Sequence, residues 1–318
     1  MRTFLDCIPC LVRQTVDFMR STKADGQLQE QILRDVLKSI SEMDLTTSPP
    51  VMTQAIHRFI RAQTSERDPY RAEKAEFNRI AMELYPELRL RVRNSSNPLS
   101  TALRLAIAGN MIDLGVNSHV SKTEIQEAAY EALELPLEGD LAVFRDAVSG
   151  ARRILYLTDN AGEIVLDRLF IEQLPVEKVT AAVRGFPILN DATMSDAEET
   201  GLKELVAVID NGSDAPGTVL DDCSQAFRRQ FEEADLVIAK GQGNYETLSE
   251  VKKDIFFLLK AKCPVVAKDI GCAVGSLILK RKNSSGERIP LSELTPACQI
   301  VSSERRVSTT PYLKPIKE

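Results

Sequence analysis

The chain is poor in histidine. Only His57 and His119 occur in 318 residues, far apart, so general acid–base catalysis by histidine is not expected. It has no basic excess either. The net charge is −6, which argues against a nucleic-acid binder, whose phosphate contacts need clustered Lys and Arg. No apolar run approaches the roughly 20 residues that span a bilayer, so no membrane partner is expected. The opening "MRTFLDCIPCL" is too short, and too interrupted by Asp6 and Pro9, for a signal peptide. The six cysteines lack framework spacing, which predicts reduced thiols in a cytoplasmic protein with no obligatory disulfide. Repeats and low-complexity tracts are absent. What is present is a chain 43% hydrophobic and 27% charged, able to bury a substantial core in one large domain or two ordinary ones.

The two halves follow different patterns. "QLQEQILRDVLKSI", "MTQAIHRFIRAQ", "AEKAEFNRIAMELY" and "PLSTALRLAIAGNMIDLG" place apolar residues three and four apart, as buried helix faces require. Breaks fall at "TTSPP", "ERDPY" and "NSSNP". After residue 150, short β-branched runs replace them: "RRILYLT", "KVTAAV", "ELVAVI", "DLVIAK" and "CPVVAK". Between them lie helical stretches such as "EIVLDRLFIEQL" and "KKDIFFLLKA". Continuous apolar strands alternating with helices predict a mostly parallel, doubly wound sheet covered on both faces. The expected architecture is α/β: a helical domain over 1–145, packed on an α/β metal- and phosphate-binding domain over 146–318.

Ligands of such sheets bind outside the carboxyl ends of the strands. The stretch "LYLTDNAGEIVLD" (155–167) leaves an apolar strand at Asp159-Asn160 and turns at once into a helix. Asp and Asn are good turn and N-cap residues, so the stretch alone leaves two readings: a capped turn, or oxygen ligands at a strand end. The other strands favour the second. One runs into "VRGFPILNDATMSDAE", with Arg184, Asn190, Asp191 and Asp196; another into "DNGSDAPGT"; another into "AKGQGNYETLSE".

Asp159, Asn160 and Asp191 offer two carboxylates and an amide carbonyl. Such hard oxygen ligands suit Mg²⁺ or Mn²⁺, with Co²⁺ or Ni²⁺ as further candidates, and make a poor zinc site. Lys240 precedes a flexible turn. Together with the Gly241 and Gly243 amides and the helix expected at "NYETLSEVKK", it would hold an anion; the competing reading is an ordinary solvated lysine. A metal on one face and a fixed cation on the other is what phosphoryl transfer requires. Glu163 or one of the aspartates would accept the proton from water, while Asp159 as a direct nucleophile stays open. No G-x-G-x-x-G dinucleotide fingerprint is present.

Taken together and in order, "CIPC", "LTDNAGEIVLD", "RGFPILNDATMSDA", "DNGSDAPGT" and "AKGQGNYETL" resemble the DUF89 family of metal-dependent damage-control phosphatases. The resemblance covers nearly the whole chain and is closest to the prokaryotic, stand-alone, CxxC-bearing branch. It implies a helical domain on a Rossmann-like α/β/α domain, with a divalent metal between them. It also implies hydrolysis of small phosphate esters, such as sugar phosphates or damaged phosphometabolites. Asp159 and Asn160 match the family's paired metal ligands, Asp191 its third, and Lys240 and Asn244 its K-G-x-x-N motif. Arg184, Asn190, Gly241 and Asn244 are the substrate-binding candidates. Asn110 joins them, in a "GNMID" segment that resembles a family motif and would line the cleft from the helical side.

Other signals are weaker. Cys7 and Cys10 have redox or metal-ligand spacing, but they open a helical region and no second CxxC completes a four-ligand site. A structural role competes. Cys223, Cys263, Cys272 and Cys298 read as buried small hydrophobes. Arg71 or Lys74 of "DPYRAEK" would serve a substrate lid or, more simply, a capped helix start. A SAM-dependent carboxyl methyltransferase wants a glycine-rich loop where "TDNAGE" stands. A haloacid-dehalogenase-type phosphatase wants D-x-D there. A non-catalytic metabolite-binding protein is the alternative from another class.

Overall fold

The computed structural model describes residues 1–22, 24–64, 66–109 and 122–282. Asn110, Asp113, His119 and Cys298 lie outside the described residues. The N-terminal part is helical, as the apolar spacing predicts: α1 (Cys7–Ser21), α2 (Gly26–Glu42), α3 (Pro49–Thr64), α4 (Arg71–Asn94) and α5 (Pro98–Ala108). Local chemistry sets their ends. Asp25 caps α2 by accepting from Leu28 N, and Asn97 caps α5 by accepting from Ser100 N, with Pro98 in the first turn. The prolines of "TTSPP" likewise begin α3, where their missing N–H groups are not needed. Leu11, Phe18, Ile32, Val36, Met52, Ile56 and Ile60 give α1–α3 a core of their own.

The remainder alternates: α6 (Lys122–Glu134), β1 (Leu137–Gly139), α7 (Leu141–Gly150), β2 (Ile154–Leu157), α8 (Glu163–Ile171), β3 (Val179–Val183), α9 (Met194–Glu199), α10 (Leu202–Leu205), β4 (Ala207–Asp210), α11 (Gln225–Glu233), β5 (Leu236–Lys240), α12 (Gly241–Leu248), β6 (Ile255–Lys260), α13 (Pro264–Ile270) and β7 (Leu277–Lys282). The strands form one sheet in the order β1-β7-β6-β5-β2-β3-β4, parallel except for β6 against β7. Successive strand residues bury on opposite faces. Tyr156, Ile238 and Phe256 pack with α4, α5 and α8. Leu155, Val237 and Phe257 pack with α11, α12 and α13. This is the doubly wound α/β architecture expected from the apolar runs.

Two segments exchange roles relative to the sequence reading. "KKDIFFLLKA", expected to be helical, contains β6, and "CPVVAK", expected to be a strand, opens α13. Short apolar runs carry no decisive period. Here Cys263 caps a helix whose first residue is Pro264, while the aromatic run Ile255–Lys260 fills the slot between β5 and β7. The sheet also takes Leu137–Gly139 from the part expected to be helical, and α4 and α5 share a core with it. The division placed at 145/146 therefore does not coincide with the start of the sheet. Strand order reverses between β2 and β5, and this switch point is where the crevice of such a fold opens.

Candidate active site

Backbone pairing continues past the strands and assembles the site. Thr158 N and Oγ1 both donate to Ala182 O, at 3.0 and 2.9 Å, carrying the β2–β3 alignment one residue further. The chain after β3 then reverses through Leu189, whose φ of 45° is left-handed. Residues 190–192 therefore run antiparallel to 159–161. Ala192 N donates to Asp159 O and Ala161 N to Asn190 O, both at 2.8 Å, and Asn160 faces Asp191 as an isolated bridge. Three residues chosen for their oxygens are thus brought together, from segments 30 residues apart, by main-chain geometry.

Their side chains surround Arg184, which is buried. Arg184 Nε donates to Asp191 Oδ2 at 2.6 Å, Nη1 reaches Asn244 Oδ1 at 3.4 Å, and Nη2 stands 3.7 Å from Asp159 Oδ1 with no hydrogen-bond partner. Burial, with Glu163 and Asp191 nearby, raises Asp159 well above the usual carboxylate range against the opposing charges of Arg184 and Lys262. Burial raises Asp191 as well, although Arg184 offsets it. Asn160 Nδ2 donates to Asp159 Oδ2 and Glu163 Oε2, both at 3.0 Å. Its amide hydrogens are thereby spent on carboxylates, which leaves its carbonyl oxygen as the donor to a cation. Two carboxylates short of positive charge, an oriented amide carbonyl and an unpaired guanidinium N–H fit a divalent cation with a phosphate beside it. The set reaches three only by counting the amide; among the described residues no three His, Cys, Asp or Glu side chains close around one point.

Lys240 is placed differently from the expectation that it faces an anion. It is fully buried, and its Nζ donates to Ala106 O at 2.8 Å, Glu163 Oε1 at 2.6 Å and Asp167 Oδ1 at 2.5 Å. All three of its protons stay within the protein. Burial opposes the charge, but Asp167 and Glu163 outweigh it and raise the lysine pKa. Asp167 also accepts from Tyr156 Oη at 2.8 Å, its Oδ2 has no partner, and burial against the attraction of Lys240 brings it up to about 6. Glu163, expected to accept a proton, is enclosed between Lys240 and Asn160, and Gly109 at the end of α5 abuts it so closely that a Cβ there would stand 2.8 Å from Glu163 Cγ.

The other candidates divide. Asn244 is buried with both hydrogens given to Thr158 O and Lys240 O and its oxygen shared by Thr218 and Arg184, so it clamps the strand ends instead of reaching a substrate. Gly241, at φ 78°, leaves the space that Asp159 Oδ2 occupies; any Cβ would overlap that oxygen. The anion expected over this turn is therefore met first by Asp159 itself. Asn190 contributes its carbonyl to the bridge.

Asn78, Gln54, Arg58, Arg61 and Asp167 escaped the sequence reading, whereas Lys74 and His57 did not. Asn78 on α4 accepts from Gly162 N at 2.7 Å and donates to Asp196 at 2.9 Å, joining the helical part to the site turn. Lys74 is buried in ion pairs with Asp68 and Asp196, which favours the helix-start reading over a lid. From α3, Gln54 and Arg58 bind Asp214 and Asp222, and Arg61 binds Asp214. His57 beside them is buried and neutral, lowered to about 3 by burial and Arg61. The signal for Asp167 was present: it lies four residues after Glu163 in a mostly apolar helix, hence on the same face.

A cavity of about 510 Å³ opens on the opposite edge of the sheet, and its basic residues Arg152, Arg153, Lys178 and Lys203 are already paired. The comparisons with known proteins converge on one family. The family model described as "Damage-control phosphatase ARMT1-like domain" matches residues 3–278. A damage-control phosphatase of Archaeoglobus fulgidus is 35% identical over 283 residues, covering 86% of this chain and 97% of that one. One of Pyrococcus horikoshii is 31% identical over 288 residues, covering 88% and 98%. The crystal structure of a DUF89 family protein from Pyrococcus horikoshii superposes with a TM-score of 0.81 at 31% identity, covering 88% of this chain and 99% of that one.

Proposed function

Because the chain belongs to the damage-control phosphatase ARMT1-like family, we propose that it is a metal-dependent phosphatase acting on phosphate monoesters of small metabolites. The observation that carries this reading is the Asn160–Asp191 bridge, which sets two carboxylates and an amide at the switch point of the sheet, around a buried arginine with an unpaired N–H. Asp159, Asn160 through its carbonyl, and Asp191 would hold the metal. When bound, a divalent ion polarises the phosphate and lowers the pKa of coordinated water. Arg184 offers Nη2 to a phosphate oxygen. Water attacks phosphorus as the ester P–O bond breaks. One water proton passes to a carboxylate oxygen of the Asp159–Asp191 pair not engaged by the metal and from there to the departing ester oxygen, so that the alcohol and inorganic phosphate are released. Glu163 is not the acceptor, since its two oxygens are committed to Asn160 and Lys240. Lys240 and Asp167 act behind Glu163 as positioning groups.

The test is release of phosphate from p-nitrophenyl phosphate with and without EDTA, followed by addition of Mg²⁺, Mn²⁺, Co²⁺ or Ni²⁺. Loss on chelation and recovery with one of these ions is expected. Turnover indifferent to chelation would overturn metal dependence, and no turnover with any ion or phosphorylated metabolite would favour a metabolite-binding protein. Trapping a phosphorylated Asp159 by rapid quench would replace water attack with a covalent route.

A further inference from the structure

Asn211, the first residue beyond β4, takes part in no step above. Backbone pairing sets its place. Val183 pairs with Asp210 in the β3–β4 ladder, and Asn211 N donates to Val183 O at 2.9 Å, so the alignment runs one residue further. Asn211 therefore stands beside Arg184. Both leave the sheet on the face where Ala182 and Ile209 share a core with α11 and α12, the face on which Arg184 reaches Asn244. The amide of Asn211 is turned one way only. Its Oδ1 accepts from Gly185 N and Ser213 N, both at 2.9 Å, so exchanging oxygen for nitrogen would break two bonds. Its Nδ2 is left buried without a hydrogen-bond partner among the described residues, as is Nη2 of Arg184. The loop that carries it is held tightly. A Cβ on Gly185 would fall 2.5 Å from Gly212 Cα, and Gln54 of α3 binds Ser213 and Asp214.

We propose that Asn211 is a specificity-determining residue: its Nδ2 donates to a hydroxyl on the substrate carbon next to the phosphorylated one, while Arg184 holds the phosphate. The inference rests on the phosphatase reading and on Arg184 facing the phosphate. Strand order gives the direction. Asp159 follows β2, Arg184 follows β3 and Asn211 follows β4, so metal, phosphate and carbon skeleton would lie in that order across the edge of the sheet. Adjacent strands stand about 4.8 Å apart. That interval is too wide for two donors to grasp one oxygen, but it suits a phosphate and a hydroxyl on the neighbouring carbon. The charge around Asn211 selects a neutral acceptor over a second anion. Residues 210–222 hold Asp210, Asp214, Asp221 and Asp222 and no Lys or Arg. The arginines that reach them from α3, Arg58 and Arg61, are spent on Asp214 and Asp222. An ester without the hydroxyl would leave Nδ2 buried and unpaired, which is how a polar site rejects an analogue that lacks one group.

The experiment measures kcat/KM of the full-length protein for 2-hydroxyethyl phosphate and for ethyl phosphate, which differ by one hydroxyl, with the ion that best restores turnover. The unaltered protein should favour the hydroxylated ester by about 5–150-fold, the factor that separates a paired from an unpaired buried N–H. Asn211→Ser and Asn211→Ala should bring that ratio close to one. The serine hydroxyl can still accept from Ser213 N two residues on, so Asn211→Ser keeps the turn should Asn211→Ala fail to fold. Any intrinsic difference between the two leaving groups is common to all the proteins and cancels. Damage to the loop alone would lower both substrates alike and preserve the ratio. A ratio near one in the unaltered protein overturns the assignment, as does a preference that survives in the Asn211 variants. Failure of the phosphatase reading looks different: the unaltered protein would hydrolyse neither ester nor p-nitrophenyl phosphate with any of the four ions, and the role of Asn211 would fall with it.

Discussion

Two buried cations, Lys240 at the end of β5 and Arg184 just after β3, stand on either side of β2, each beside two carboxylates, and they are completed in opposite ways. Lys240 spends every proton on Ala106, Glu163 and Asp167. Arg184 keeps Nη2 unpaired and leaves Asp159 and Asp191 raised above the ordinary carboxylate range. A saturated cluster holds its neighbours in place, whereas an unsaturated one at a strand end is prepared for something that arrives. The difference assigns the roles: Arg184 with the aspartates to the phosphate and metal, Lys240 to the support beneath them.

The most direct way to break the open cluster is Asp159→Ala. It should abolish metal-dependent phosphate release while the circular dichroism stays unchanged; full activity would remove Asp159 from the site. Breaking the closed cluster with Lys240→Ala should cost about 10²–10³ in kcat, the typical loss of a preorganised electrostatic contact. Glu163 and Asp167 would be left buried without their cation, so stability should also fall by about 3–5 kcal/mol in denaturant unfolding. Lys240→Gln should lose nearly as much activity. A change confined to KM would return Lys240 to uniform substrate binding.

Asp167→Asn sharpens the comparison through pH. The folded-state pKa of Asp167, about 6, lies above its unfolded value of 3.8. Its stabilising contribution is therefore complete below pH 3.8 and lost as pH rises through 6. The stability of the unaltered protein relative to Asp167→Asn should fall by about 1.4 kcal/mol per pH unit across that window. A flat difference, followed by denaturant unfolding from pH 4 to 7, would show that Asp167 is ionised throughout. The smallest effect is expected outside both clusters. Asn78→Ala leaves Gly162 N buried and unpaired and should lower stability by about 1–3 kcal/mol, read from the denaturant midpoint.

Much of this was legible in the sequence because it was local. Asp159-Asn160 directly follows an apolar run, and the sheet rule places such residues at the ligand edge whatever lies between them. Asp191 was legible for the same reason. The parts that were not legible depend on long-range pairing. Lys240 looks like a loop cation from its neighbours, and only the packing of α5 and α8 over it shows where its protons go. Asn244 reads as a substrate contact from its motif, and the strand ends it clamps are distant in sequence. β6 and α13 traded places because short apolar runs suit either element until the sheet supplies a slot. Asn78 lies in a helix whose apolar spacing gives no reason to single it out.

The separate core of α1–α3 bears on how the molecule opens. These helices bury Phe18, Ile32 and Ile56 among themselves, while α4 and α5 belong to the core of the sheet. Their principal side-chain anchors to the sheet are Gln54, Arg58 and Arg61 on Asp214 and Asp222, with Arg58 half-exposed. Ionic anchors of that kind are screened by salt and released by acid, whereas an apolar interface is not. The first three helices are therefore expected to open ahead of the sheet, which native-state hydrogen exchange would read as earlier exchange in α1–α3 than in the strands at raised salt or low pH. Gln54 meets Ser213 and Asp214 in the loop after β4, so each such opening would also unfasten one wall of the crevice.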